Sequence, residues 1–163
     1  MTLNIRSFEA SDLPAMQQLR QAAFKPIFQS FRDIVGEQIY LIALVKSDLE
    51  QAELLESICK STSPHRVFVA EMNDDIAGFV SFSLNHDKRV GELGLNAVHP
   101  DYAGRGIGTQ MYEFALARMQ ECGMVLATVG TGGDPSHAPA RRAYQKAGFG
   151  AALPSVFLYK LLR

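Results

Sequence analysis

The sequence is short of the features that mark several large classes of protein. Its two cysteines, Cys59 and Cys122, stand in no CxxC or Cys/His spacing, which speaks against a disulfide framework or a zinc site and fits a reducing, cytoplasmic setting. An excess of charge is also missing: 16 Lys and Arg face 17 Asp and Glu, a net charge of -1. No global field therefore draws the chain to nucleic acid or to an anionic membrane, although a small anion can still be held locally. No window reaches the roughly 18 apolar residues of a membrane span, and the opening "MTLNIRSFEASD" carries Arg6, Glu9 and Asp12 where a signal peptide needs an apolar run. His65, His86 and His99 give no metal-ligand spacing with His137, so no metal is expected. Nucleophile contexts such as GxSxG do not occur. Repeats, low-complexity tracts and linkers are absent too, and residues 1–163 are expected to form one domain around one core.

What is present is a succession of well-marked elements. Leu3 to Phe8 alternates like a half-buried strand, and Ser11 or Asp12 followed by Pro14 opens a helix with Leu13, Met16, Leu19, Ala22 and Ala23 on one face. The aromatic segment from Phe24 to Tyr40 is interrupted by Pro26 and Gly36 and leads into a second helix over about Glu37 to Lys60; its Phe24, Phe28, Phe31 and Tyr40 read first as packing between helices, with a substrate-facing wall as the lesser reading. "RVFVAEM", "NDD" and "IAGFVSFSLN" form a hairpin, and Val90 to His99 a further strand. A helix follows from Gly106 to Glu121. "MVLATVG" then reads as a strand buried on both faces, and a last helix from about His137 to Ala147 has Ser136 as its cap and Gly148 as its stop. "SVFLYKLL" is expected to close the chain as a strand. The resulting order, β-α-α-β-β-β-α-β-α-β, indicates an α+β fold with a mixed α/β sheet.

The densest signal is "HPDYAGRGIGTQM", where Gly104, Gly106 and Gly108 surround Arg105 between a strand and a helix. A glycine bend at the start of a helix gathers backbone N–H groups and the positive end of the helix dipole, which suits a phosphate group. The spacing is neither the GxGxxG of dinucleotide folds nor the GxxxxGK[ST] of NTP-binding loops.

"NAVHPDYAGRGIGTQMYEFAL" resembles the acyl-CoA-binding motif of the GNAT superfamily of N-acetyltransferases, [Q/R]-x-x-G-x-[G/A] after a V-x-P-x-x-x-G lead-in. The motif glycines fall on Gly106 and Gly108, and its first position on Ala103, where the usual Gln or Arg is missing. Downstream, "HAPARRAYQKAGF" is similar to the superfamily's N-x-x-A-x-x-x-[Y/F]-x-K-x-G-F segment, with His137 in place of Asn and Tyr144 at the tyrosine position. The order of elements agrees along nearly the whole chain.

The resemblance implies a GNAT-like fold with two central strands that splay apart around the pantetheine arm of acetyl-CoA. Backbone groups near Ala97 and Val98 would pair with the pantetheine amides. Ala103, Gly104, Arg105, Gly106, Ile107, Gly108 and Thr109 would cradle the diphosphate, with Arg105 adding a charge-assisted contact. His137 would either meet the pantetheine or serve the helix start. The reaction implied is direct attack of a primary amine on the thioester. At pH 7 such an amine, with a pKa of about 10.4, is almost wholly protonated, a handicap of roughly 4–5 kcal/mol that a base must offset. Glu92, or a chain of waters, is the candidate base. Tyr144 is the candidate acid, donating a hydrogen bond as the thiolate leaves, since full proton transfer between groups of pKa about 10 and 8.5 is uphill by roughly 2 kcal/mol. Glu92, Asp134, Glu37 and the aromatic segment could receive a cationic amine, and Asp134 also reads as an ordinary turn residue. The acceptor is a small molecule or a peptide end, and a homodimer paired through "SVFLYKLL" is consistent with the superfamily. The rival reading is a catalytically idle acyl-CoA-binding or sensing domain.

Overall fold

The computed structural model describes residues 2–163 and holds one sheet whose five strands lie side by side in chain order. β1 (Asn4–Ser7), β2 (Arg66–Met72), β3 (Asp75–Asn85) and β4 (Val90–Val98) are antiparallel neighbours, and β5 (Leu126–Val129) joins β4 in parallel. The β2–β3 turn uses Asn73 and Asp74 at φ 55 and 67, residue types whose short polar side chains tolerate the left-handed region.

Five helices cover the two faces: α1 (Leu13–Val35), α2 (Glu37–Ala43) and α3 (Ser47–Ile58) belong to one side, α4 (Ile107–Glu121) and α5 (Ala138–Lys146) to the other. Alternation along the strands feeds both cores. Val67, Val69, Phe79 and Ala97 meet Met16, Leu19, Leu55 and Ile58 on the α1 side, while Ala70, Val80, Phe82 and Leu93 meet Ile107, Met111, Ala115 and Met119 on the α4 side. The strand, hairpin and helix expectations hold for β1 to β4 and α4. The mixed sheet with helices on both faces is the expected fold class.

Four local readings are corrected. α1 runs through Pro26 to Val35 rather than breaking there, since Phe24, Phe28 and Phe31 form a ladder across the proline with centroids 6.0 and 6.2 Å apart. The helix expected over Glu37 to Lys60 is two helices with a turn between them. β5, expected to be buried on both faces, is an edge strand with residues alternately exposed and half-buried. The last helix begins with a 3-10 turn, Pro135–His137, whose backbone is capped by Asp134, not Ser136.

The largest correction is at the chain end. Residues 150–163 form no strand, are exposed throughout, and make no backbone or side-chain hydrogen bond to the rest of the described residues. A strand needs a ladder partner, and in the single chain this segment has none.

Candidate active site

The glycine run forms the predicted bend. After the short turn Pro100–Tyr102, in which His99 Nδ1 accepts from the Asp101 N–H at 3.1 Å, Gly104 and Gly106 take φ values of 76 and 75. A side chain at either position would be held in the left-handed region, which costs about 1–2 kcal/mol for a residue with a Cβ. The first backbone bond of α4 is from Gln110 N–H to Gly106 C=O, so the N–H groups of Ile107, Gly108 and Thr109 precede the helical ladder. No acidic residue stands in that first turn.

β4 and β5 separate beside this helix end. Their pairing runs from Val90–Leu126 to Leu93–Val129 and stops; above it Gly94 to Val98 keep β3 but have no second strand among the described residues. The gap opens into a cleft of about 830 Å³, whose wall includes Glu92, Ala97, Val98, Ala103, Gly104, Gly106, Ile107, Gly108, Thr109, His137 and Tyr144. Eleven of the twelve positions singled out as acyl-CoA contacts or catalytic groups are thus in its wall, all but Arg105. The Arg105 guanidinium lies over the ring of Tyr102, a residue of the cleft wall, at 5.2 Å and donates to Asp101 C=O at 3.3 Å.

The floor of the cleft holds a half-buried polar side chain, Asn96, that sequence reading missed. Asn96 Nδ2 donates to the Tyr144 hydroxyl at 3.1 Å and to Gly94 C=O at 2.9 Å, while Asn96 Oδ1 accepts from the Tyr112 hydroxyl at 2.8 Å. The two tyrosine rings stack at 4.4 Å. Burial, reinforced by the neighbouring Tyr144, pushes the Tyr112 hydroxyl far above its usual range and keeps it a donor. Tyr144 accepts from Asn96, which leaves its own O–H proton to be given elsewhere. A β-bulge places Asn96 here: one residue of β3, Ser81, faces two of β4, Gly94 and Leu95, and the Ser81 hydroxyl donates to Leu95 C=O at 2.7 Å. A Cβ on Gly94 would come within 2.8 Å of that hydroxyl.

The opposite rim is the loop between β5 and α5. Asp134 Oδ1 meets His137 Nδ1 at 2.5 Å, and Asp134 Oδ2 accepts from Ser30 Oγ at 3.0 Å, from the Ser136 N–H at 3.2 Å and from the Ser136 hydroxyl. Burial pushes the Asp134 carboxyl upward, but the hydrogen bonds from Ser136, His137 and Ser30 outweigh it and hold the group down at about 2. As a carboxylate, Asp134 accepts a hydrogen bond from the Nδ1–H of His137, which leaves Nε2 as the unengaged ring nitrogen. The His137 ring also stacks on Phe31 at 6.0 Å, so the loop is pinned to α1. Asp134 is thus held by its loop and by Ser30 of α1, and Glu37 is paired with Arg32; neither is in the cleft wall. Glu92 is exposed on the face of β4 opposite Leu93, the side where Phe24 and Ile27 of α1 and Leu54 of α3 line the cleft. The signal for Tyr112 was a polar atom beside the apolar stripe of α4; Asn96, which alternation groups with Glu92, gave none.

A model of the acetyltransferase (GNAT) family matches residues 16–149. Among solved structures, the chain is similar to a GNAT-family acetyltransferase from Brucella melitensis in complex with acetyl-CoA, at 22% identity over 92% of this chain and 84% of that one, with a TM-score of 0.64. It is similar also to a ribosomal-protein alanine N-acetyltransferase from Escherichia coli, at 21% identity over 93% and 80% of the two chains and a TM-score of 0.65. The aminoglycoside N-acetyltransferase AAC(6')-Iy, solved with a bisubstrate analogue, matches at 18% identity over 99% and 100%, with a TM-score of 0.65. No curated protein matches the sequence.

Proposed function

Given that the chain belongs to the GNAT family of acetyltransferases, and is in that sense an acyltransferase, we propose that it moves an acetyl group from acetyl-CoA to a primary amine of a small molecule or a peptide. The observation that carries this reading is the coincidence, in one cleft, of the unpaired edge of β4, the N-terminal end of α4 and Tyr144.

The residues suit the donor. The edge of β4 at Ala97 and Val98 offers the peptide groups that two pantetheine amides need, in place of the missing strand. The N–H groups of Ile107, Gly108 and Thr109, at a helix start free of acidic residues, suit a diphosphate, and the bend at Ala103, Gly104 and Gly106 lets the backbone approach it. Ala103 gives no side-chain contact, so backbone donors carry this part. His137, through Nε2, is the partner for a pantetheine amide.

Glu92 takes the amine proton, directly or through water, and the freed nitrogen forms a bond to the thioester carbonyl carbon as the C–S bond breaks. Tyr144 supports the departing sulfur by hydrogen bonding, and solvent restores the proton. Asn96 and Tyr112 hold the Tyr144 hydroxyl in place. The apolar wall of Phe24, Ile27 and Leu54 opposite one carboxylate favours an amine carried on a partly apolar body; acceptors of both the small-molecule and protein kind are named among the similar structures. Thiol release from acetyl-CoA across polyamines, aminoglycosides, amino acids and N-terminal peptides tests this. A hit names the acceptor class; silence across the panel with acetyl-CoA bound in calorimetry supports the sensing domain instead.

A further inference from the structure

One ring of the cleft wall, His137, is fixed from three sides although it stands in a loop. Its side chain is 15% exposed and that of Asp134 13%. Nδ1 meets Asp134 Oδ1 at 2.5 Å, and one face of the ring stacks on Phe31. Backbone closes the third side, where a Cβ on Gly132 would collide with Nδ1 and Cε1 of the ring and with Asp134 Oδ1. Arg141 of α5 draws the loop shut by donating to the C=O groups of Gly132 at 2.6 Å and Asp134 at 2.8 Å. Nε2 is the one polar atom of the ring left for the cleft.

We infer that Asp134 is a positioning residue that locks His137 as a hydrogen-bond acceptor at Nε2, and that Ser30 and Phe31 extend this lock to α1. Its purpose rests on the acyl-transfer reading, in which the group that meets Nε2 is an amide N–H of the pantetheine arm. A carboxylate can only accept, so the proton between the two side chains belongs to Nδ1, and the neutral ring then offers a lone pair at Nε2. An asparagine, the residue of the family segment, offers a donor and an acceptor. The locked histidine offers an acceptor alone.

The two oxygens of Asp134 have different tasks. Oδ2 takes the Ser30 hydroxyl at 3.0 Å, the Ser136 N–H at 3.2 Å and the Ser136 hydroxyl, which leaves Oδ1 to His137. That division sets what an amide would do in the same place. In Asp134→Asn the three donors draw the amide oxygen to the position of Oδ2, so the amide nitrogen faces Nδ1 of His137 and donates to it. The proton of the neutral ring then resides on Nε2, and the acceptor becomes a donor.

The tie to α1 joins the two halves of the cleft. Ser30 and Phe31 are not in its wall, whereas Ala23, Phe24 and Ile27 of the same helix are. One helix thus carries the acceptor-side wall and the clamp on a donor-side ring.

Nitrogen NMR of labelled imidazole groups in the full chain, free and at alkaline pH, reads the tautomer, with the His137 signals identified by their loss in His137→Asn. The expected result is a proton on Nδ1 in the parent and on Nε2 in Asp134→Asn. Calorimetry with acetyl-CoA should show the Kd raised at least about five-fold in Asp134→Asn, the loss of one hydrogen bond. Ser30→Ala with Phe31→Ala should raise it about three-fold. In a His137→Asn background, Asp134→Asn should change the Kd by less than about two-fold, because an amide has no tautomer to select; a merely structural loop residue would cost the same in both backgrounds. A parent with its proton on Nε2, an unaltered Kd in Asp134→Asn, or equal costs in the two backgrounds overturns the lock. An unaltered Kd in the Ser30 and Phe31 variant overturns its extension to α1. A parent that carries its proton on Nδ1 but binds no acetyl-CoA sinks the acyl-transfer reading and leaves the lock standing.

Discussion

On the α4–α5 face of the sheet, the cleft is made of backbone: a bend at Gly104 and Gly106, a helix start, and a strand edge without a partner. On the α1–α3 face it is made of side chains. There Arg20, nearly buried, ties α1 to α3 by donating to Asp48 at 2.9 Å and to Gln51 at 3.0 Å, and Phe24, Ile27 and Leu54 supply the wall near Glu92. Backbone recognition demands particular residues at particular spacings, because glycine takes those φ values at the least cost and a helix start presents those N–H groups. Side-chain recognition can be met in many ways. The face assigned to the constant partner, acetyl-CoA, is thus rigidly specified, and the face assigned to the acceptor is free to vary.

Four substitutions probe this division of labour. The largest effect is expected for Glu92→Gln, which should lower kcat/KM for the amine by about 10²–10⁴-fold, the usual contribution of a general base, with acetyl-CoA affinity unchanged. Steady-state kinetics checks it, and an unaltered kcat/KM hands proton removal to water. Gly106→Val should raise the Kd for CoA about 100-fold, as expected when two charge-assisted backbone hydrogen bonds of about 1.5 kcal/mol each are lost. Calorimetry reads this, and equal affinity would contradict the diphosphate cradle. Tyr144→Phe should cost about ten-fold in kcat with little change in CoA binding, the signature of an interaction made as the sulfur leaves. An effect on Kd alone would return Tyr144 to a packing role.

The smallest effect concerns the rim. Because the Asp134 pKa is lowered to about 2 in the fold, its contribution to stability is complete above the unfolded value of about 3.9 and is lost as pH falls toward 2. Asp134→Asn should therefore be less stable than the parent at neutral pH and lose less on acidification between about pH 4 and 2. Thermal unfolding across that range would show parallel curves if Asp134 were not held by Ser30, Ser136 and His137.

The same contrast explains what the sequence disclosed. Gly104, Gly106, Gly108 and Tyr144 could be placed beforehand because their spacing is tied to a bend and to one face of a helix. Asn96 could not, because its direction depends on a bulge that strand alternation does not announce. Pro26 suggested a break that the aromatic ladder of α1 bridges, and the two-helix course of residues 37–58 hides behind a continuous helical pattern. Arg105 sits in the bend as its position suggests, and its packing on Tyr102 is a detail that spacing does not give. The chain end reads as a strand from composition alone; whether a strand forms depends on a neighbour that one chain does not supply.

The bulge at Gly94 and Leu95 acts on β4 as an inserted letter acts on a reading frame. In a regular strand, residues three apart face opposite ways; here Leu93 and Asn96 share the α4 face, and Leu95 and Ala97 fall on the α1 face. A straight ladder through the same residues would leave every residue above this point intact and transpose them all, turning Asn96 away from both tyrosines and driving Ala97 toward α4, whereas deletion of one bulge residue would keep Asn96 on the α4 face. The site's chemistry is written in side chains, but its phase is set by one extra peptide unit.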